Sequence, residues 1–154
     1  MIQEIIKPSG ELKVVLTDKY GEIKQKFIVP NLVVSAGRAH IAARMADAGG
    51  EVAMSHMAVG TSASAPVATN TTCNTELHRV ALQGSEGVVS AGSNSIVYTA
   101  IFPPSSSSAG ALVEAGIFNA GTNGSMLCHT VFSVVNKGED DSVTITWTVT
   151  IDPS

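Results

Sequence analysis

From Val143 to Ile151 apolar and polar side chains alternate without a miss, Val143, Ile145, Trp147, Val149 and Ile151 against Thr144, Thr146, Thr148 and Thr150. Successive side chains of a strand point to opposite faces, so this run predicts a strand with one buried face. Trp147 is expected in the core, with its indole N–H bonded to a partner. The other strand signals are shorter. Glu11 to Thr17 and Glu22 to Val29 are strand-like runs, and Asp18-Lys19-Tyr20-Gly21 between them has the Asp and Gly of a tight turn. They predict a hairpin that lies at an edge or projects from the body, ended by Pro30 and Asn31. Val52 to Val59, Leu77 to Leu82, Ile96 to Phe102, Leu112 to Asn119 and Met126 to Val135 read as further strands. Gly121-Thr122-Asn123-Gly124 and Lys137-Gly138-Glu139-Asp140-Asp141 read as turns in a closing meander.

One stretch has a different period. Ser35 offers an N-cap oxygen for a helix running from Ala36 to Ala48, and Gly49-Gly50 supplies the stop. Ile41 and Met45 are four apart with alanines beside them, which predicts a close-packing face, with Arg38, Arg44 and Asp47 turned outward.

Short strands separated by Gly, Pro, Ser and Asn, with one helix near the front, predict an all-β fold. The expected architecture is an antiparallel β-sandwich of the jelly-roll or Greek-key kind, with one short α-helix and an N-terminal β-hairpin. Residues 1–30 are expected as a strand and hairpin appendage, and residues 31–154 as the sandwich domain. Thr61 to Asn74 is nearly all Ser, Ala, Thr, Asn and Pro, long for a loop in a compact domain. It is expected as a surface arm, ordered against a neighbour or mobile. Gly84 to Ser95 and Ser105 to Gly110 read as further loops.

Composition sharpens this picture. Of 154 residues 44% are hydrophobic and 14% charged, and the formal net charge is −4; disorder is disfavoured at that apolar content. No apolar run approaches the roughly 20 residues of a membrane span, and the N-terminus lacks the apolar block of a signal peptide. Charge is unevenly placed. Met1 to Arg44 sums to +3 and the remainder to −7, while Met45 to Asn136 carries only Asp47, Glu51, Glu76, Arg79, Glu86 and Glu114. Such a division favours head-to-tail contacts or an acidic partner for the N-terminal part, against the plainer reading of an ordinary solvated hairpin. Nucleic acid is not expected as a partner, because basic residues are sparse and no stacking aromatics interleave with them.

Chemistry is hard to nominate. Cys73 and Cys128 have no paired spacing and are expected as reduced, small apolar residues, with a single long-range bridge as the alternative. His40, His56, His78 and His129 are scattered singly, without the spacing that puts two ligands on one metal. Glu139, Asp140 and Asp141 lack the pattern of a calcium loop and read as an acidic turn. Glu76 and Glu114 are the carboxylates available for glycoside chemistry, though any chain with this many acids offers such a pair. No serine sits in a G-x-S-x-G elbow. No catalytic, cofactor-binding or metal-binding residue is therefore expected, nor an enzyme.

Several motifs follow one another in a distinctive order. Asn31-Leu32-Val33-Val34-Ser35-Ala36-Gly37-Arg38 leads into the helix, Met57-Ala58-Val59-Gly60-Thr61 precedes the polar loop, and Thr75-Glu76-Leu77-His78-Arg79 opens the next strand. Glu114-Ala115-Gly116-Ile117-Phe118-Asn119, Met126-Leu127 with Thr130-Val131-Phe132, and Val143 to Ile151 complete the set. From Asn31 to the end, this order resembles small virion proteins of tailed bacteriophages and, more distantly, the N-terminal domains of phage tail-collar fibre proteins. With no fibre shaft expected after the last strand, the resemblance points to head decoration, or cement, proteins. It implies a homotrimer on the major capsid protein at the outer surface of the phage head, assembled in the host cytoplasm, that stabilises the capsid lattice. The alternative is a tail fibre, collar or baseplate component that binds a host receptor. In either case Gly37, Gly60 and Gly116 are expected at sharp turns or close approaches, and Arg79 is expected to pair with Glu76 or Glu114.

Overall fold

In the computed structural model, which describes residues 6–84, 86–89 and 93–153, the alternating C-terminal run lies in the middle of a sheet. The chain order is β1 (Ile6–Thr17), β2 (Ile23–Pro30), β3 (Leu32–Val33), α1 (Ser35–Ala46), β4 (His56–Gly60), β5 (Glu76–Ala81) and β6 (Val88–Val89). It continues with β7 (Ser95–Phe102), β8 (Gly110–Phe118), β9 (Met126–Lys137) and β10 (Ser142–Pro153). The described strands form two five-stranded sheets, β2-β1-β10-β7-β6 and β3-β9-β8-β4-β5, in which all pairings are antiparallel. The last strand returns to lie beside the first, as in a Greek key. The fold is the expected all-β sandwich.

The pattern of each strand records what covers it. On β10, Val143, Ile145, Trp147 and Val149 enter the core while the threonines between them face outward, half-exposed. Nothing in the described chain lies over that outer face. On the second sheet both faces are covered: Met57, Val59, Ala115 and Ile117 join the main core, while Ala58, Phe118 and Met126 form a second cluster with Val34 and Cys73. Within β4, Met57-Ala58-Val59 therefore reads as a continuous apolar run, as a stretch buried on both sides must.

Five expectations need correction. The first thirty residues are not an appendage: β1 pairs with β10 from Ile6 to Thr17 and places Leu12, Val14 and Leu16 in the core. Ser35 is the first helical residue rather than the N-cap; Val34 holds that position without a side-chain cap, and the Ser35 N–H donates to the Ala68 carbonyl at 2.8 Å. The helix ends earlier than the glycines, in a Schellman turn with Asp47 left-handed at φ 50° and the Ala48 N–H bonded to the Ala43 carbonyl at 2.9 Å. Met45 stands 84% exposed, because the helical face that meets β9 runs through Gly37, His40 and Ile41. Gly37 makes that approach possible, since a methyl group there would collide with the Leu127 carbonyl. The strand expected from Val52 begins only at His56, the preceding residues being irregular.

Trp147 is fully buried as expected, but its indole Nε1 has no hydrogen-bond partner among the described residues.

Candidate functional site

Glu114 is an acid in the middle of an apolar strand, Leu112 to Phe118, and it is fully buried. A lone carboxylate there costs several kcal/mol unless it is saturated with donors, and this one is. Oε1 accepts the Asn74 N–H at 2.8 Å and meets His129 Nε2 at 3.0 Å; Oε2 accepts the Thr75 N–H at 2.8 Å and the Ser62 N–H at 3.0 Å. His129, on the neighbouring strand β9, is also fully buried, and its Nδ1 lies 2.8 Å from Asn70 Oδ1. Asn70 Oδ1 accepts the Val67 N–H as well, so Nδ1 carries a hydrogen and donates it. One further proton lies between Nε2 and Oε1, and the pair is neutral as a unit.

These bonds draw the 61–75 loop, expected as an arm, onto the outer face of the second sheet. Its two ends meet where the Thr61 N–H donates to the Thr75 carbonyl at 3.0 Å. Gly60 is required at that crossing, because a Cβ would strike the Thr75 carbonyl and come within 2.8 Å of the Glu114 carboxylate. Gly116 likewise faces Met126 and Phe118 at 2.9 and 3.0 Å from a Cβ position.

Cys73 completes the cluster. Its Sγ, a Glu114 oxygen and a His129 nitrogen lie within 4.8 Å of one another, the donor types of a zinc site. The electrons are already committed. A carboxylate offers about four acceptor positions, and three backbone N–H groups and the imidazole occupy them. Burial, and then the charges of Glu114 and Glu76, push the Cys73 thiol well up, so it stays protonated. A cysteine nucleophile would need an imidazole nitrogen free to take its proton, and both nitrogens of His129 are engaged. The cluster is a latch that fixes a loop.

The other candidates fall elsewhere. Glu76 and Glu114 flank Gly60 on opposite sides, but among the described residues they share no hydrogen-bond partner. Arg79 pairs with Glu76, at 2.7 and 3.2 Å, and not with Glu114; it also donates to the Ala120 and Asn123 carbonyls and lies 3.7 Å over the Phe118 ring. Asp141 accepts from Lys24 Nζ at 2.9 Å and the Gly138 N–H at 2.8 Å, and these bonds hold its carboxyl below the usual range. It ties the β9–β10 turn to the first hairpin. Cys73 and Cys128 are both free and belong to different hydrophobic clusters.

His40 faces Glu51 at 3.4 Å, His56 bonds Ser55 Oγ at 2.8 Å, and His78 sits half-buried on β5. Glu51 carried no signal in the sequence, yet with His40, Ser125 and Asn119 it joins the helix to the 119–125 turn, and those bonds lower its carboxyl. A cleft of about 330 Å³ between α1 and the end of the first sheet has Ile41, Met54, Ile96, Tyr98 and Val149 in its wall. Of its charged and polar members, His40 and Arg44 are turned to the Glu51 side chain and carbonyl respectively, Glu86 is exposed, and burial raises the Tyr98 hydroxyl to about 12.

Comparison with family models, with curated proteins and with solved structures finds no match.

Proposed function

We propose that this chain is a structural protein of a tailed-bacteriophage virion that decorates the head, a homotrimer bound to the major capsid protein. The sequence motifs from Asn31 onward suggest it, and the observation that carries it is the asymmetry of the two sheets. The second sheet is covered by the chain's own loop and helix. The first presents Thr144, Thr146, Thr148 and Thr150 in a row, with Val15 and Ile101 beside Thr144, and Lys7, Glu11, Lys13 and Lys26 as charges on that face. Threonine supplies a methyl group, a donor and acceptors, and so few charges put little repulsion in the way of a neighbour. A chain that lays this face across adjoining capsid subunits binds only the assembled lattice and stabilises it by mass action.

Cryo-electron microscopy of particles carrying the labelled protein tests the reading. Signal spread over the head is expected; signal confined to the tail overturns it in favour of a fibre, collar or baseplate component. Particles lacking the protein are expected to release DNA at lower temperature, and equal release counts against stabilisation.

A further inference from the structure

We propose that Asn123-Gly124 is a site of spontaneous deamidation whose rate is set by the Arg79 guanidinium. The inference goes beyond the virion reading above and does not rest on it. Asn123 is the one asparagine of seven that precedes a glycine; each of the other six precedes a residue with a side chain. The reaction needs that missing Cβ, because the backbone nitrogen itself must approach the side chain. The Gly124 nitrogen, its proton taken by solvent base, attacks Asn123 Cγ, and ammonia leaves as the new C–N bond closes a five-membered succinimide. Water then opens either ring carbonyl. The product is aspartate, or isoaspartate, in which the main chain runs through the former side chain and is one methylene longer.

The position is open to water and base. Asn123 and Gly124 are both exposed, and among the described residues neither the Gly124 N–H nor the Asn123 side-chain amide has a hydrogen-bond partner. The folded turn nevertheless holds the reactants apart. Asn123 is left-handed at φ 55° and is followed by Gly124 at φ 77°, and a left-handed residue has ψ near about +47°. At that angle the Gly124 nitrogen lies on the far side of the Asn123 Cα from Cβ. Attack therefore requires a large rotation about the Asn123 Cα–C bond, which carries the carbonyl oxygen with it. Arg79 holds that oxygen. Its Nη1 donates to the Asn123 carbonyl and to the Ala120 carbonyl, both at 2.9 Å, while Nε and Nη2 are fixed on the Glu76 carboxylate at 3.2 and 2.7 Å. The Arg79 side chain is 7% exposed, so little water competes for its bonds. Deamidation proceeds from a locally opened turn, and the Arg79 bond sets how often that turn opens.

Incubation of the full chain in warm, mildly alkaline buffer tests this, natively and in urea, with product read over weeks by peptide mass mapping and by enzymatic methylation of isoaspartate. Asn123 is expected to react ahead of the other asparagines, and more slowly in the native chain than in urea. Arg79→Lys keeps the charge but gives up the fork that spans Glu76 and the two carbonyls. It is expected to accelerate native deamidation at Asn123 at least about tenfold, as loss of a charge-assisted bond from the closed turn requires, and to leave the rate in urea unchanged. Glu76→Gln, on a half-exposed side chain, loosens the guanidinium without touching the turn and is expected to act in the same direction, which keeps the test available if the lysine variant folds poorly. Circular dichroism and hydrogen exchange at the Val97 amide report on the rest of the fold. A folded variant that deamidates at the wild-type rate, or an acceleration matched by an equal rise in exchange at Val97, overturns the role of Arg79. Absence of product at Asn123 in urea, or a native rate equal to that in urea, overturns the proposal as a whole.

Discussion

Replacing Glu114 by Gln changes one oxygen to NH2 and removes the charge while keeping the shape. The amide fits best with its oxygen toward Ser62 and Thr75 and its NH2 toward His129, whose Nε2 then accepts. The Asn74 N–H, 2.8 Å from the lost oxygen, faces a donor and is orphaned. Hydrogen bonds to a charged acceptor contribute about 1.5–3 kcal/mol against about 1 for neutral ones, and an orphaned buried N–H costs about 1–3. Weakening two bonds and stranding one donor sums to about 3–5 kcal/mol, a large part of the roughly 5–15 kcal/mol that holds a domain folded.

The loss falls first on the loop, whose remaining ties are the Asn70–His129 and Ser35–Ala68 bonds, the Thr61–Thr75 bond between its ends and the buried Cys73. Hydrogen exchange at the Ser62, Asn74 and Thr75 amides is expected to accelerate by about a hundredfold to a few thousandfold, since 1.4 kcal/mol is about a factor of ten. Amides of the first sheet, such as Val97, should change far less. The melting temperature should fall as well, by about 2–4 °C for each kcal/mol that reaches global unfolding. Protection unchanged at all three amides, with a melting temperature moved by less than about 2 °C, would show that the carboxylate does not hold the loop.

Other consequences follow from single residues. Asp141 has its folded-state carboxyl pKa depressed by Lys24 and the Gly138 N–H; the stability this contributes is present above the unfolded value near 3.9 and is lost as pH falls through the folded one. Asp141→Asn should therefore destabilise at pH 7 and progressively less as pH drops below about 4, measured by urea unfolding; a penalty independent of pH refutes the ion pair as its source. Gly37→Ala should cost about 1–3 kcal/mol, because the methyl group forces α1 away from the Leu127 carbonyl, and a neutral result in chemical denaturation would mean that the helix does not sit so close. Trp147→Phe removes an indole N–H that has no described partner, a relief that offsets the lost volume, so stability should change by no more than about 1 kcal/mol. A loss above about 3 kcal/mol would show that the N–H is bonded.

The strands were legible where one physical rule governed them. The Thr-alternating run of β10 can bury only one face, whatever the rest of the chain does, because side-chain period is local. Phe27, by contrast, lies in a continuously apolar segment that left the hairpin's place open, and only its packing at 5.7 Å on Phe132 and the pairing of β1 with β10 make the hairpin a wall of the sandwich. Met45 shows the same limit, since helical spacing says which residues share a face but not which face the sheet will take.

The latch was half written in the sequence. An acid inside Leu112-Val113-Glu114-Ala115-Gly116-Ile117-Phe118 is a signal in itself, because a buried carboxylate must be answered by donors. Its donors come from Ser62, Asn74, Thr75 and His129, between 15 and 52 positions away, and backbone N–H groups carry no residue-specific mark. Local periodicity and composition thus determined the strands, the single helix and the shortage of surface charge. Which sheet face stays open and where the polar loop lies are consequences of long-range pairing, and only the tertiary structure decided them.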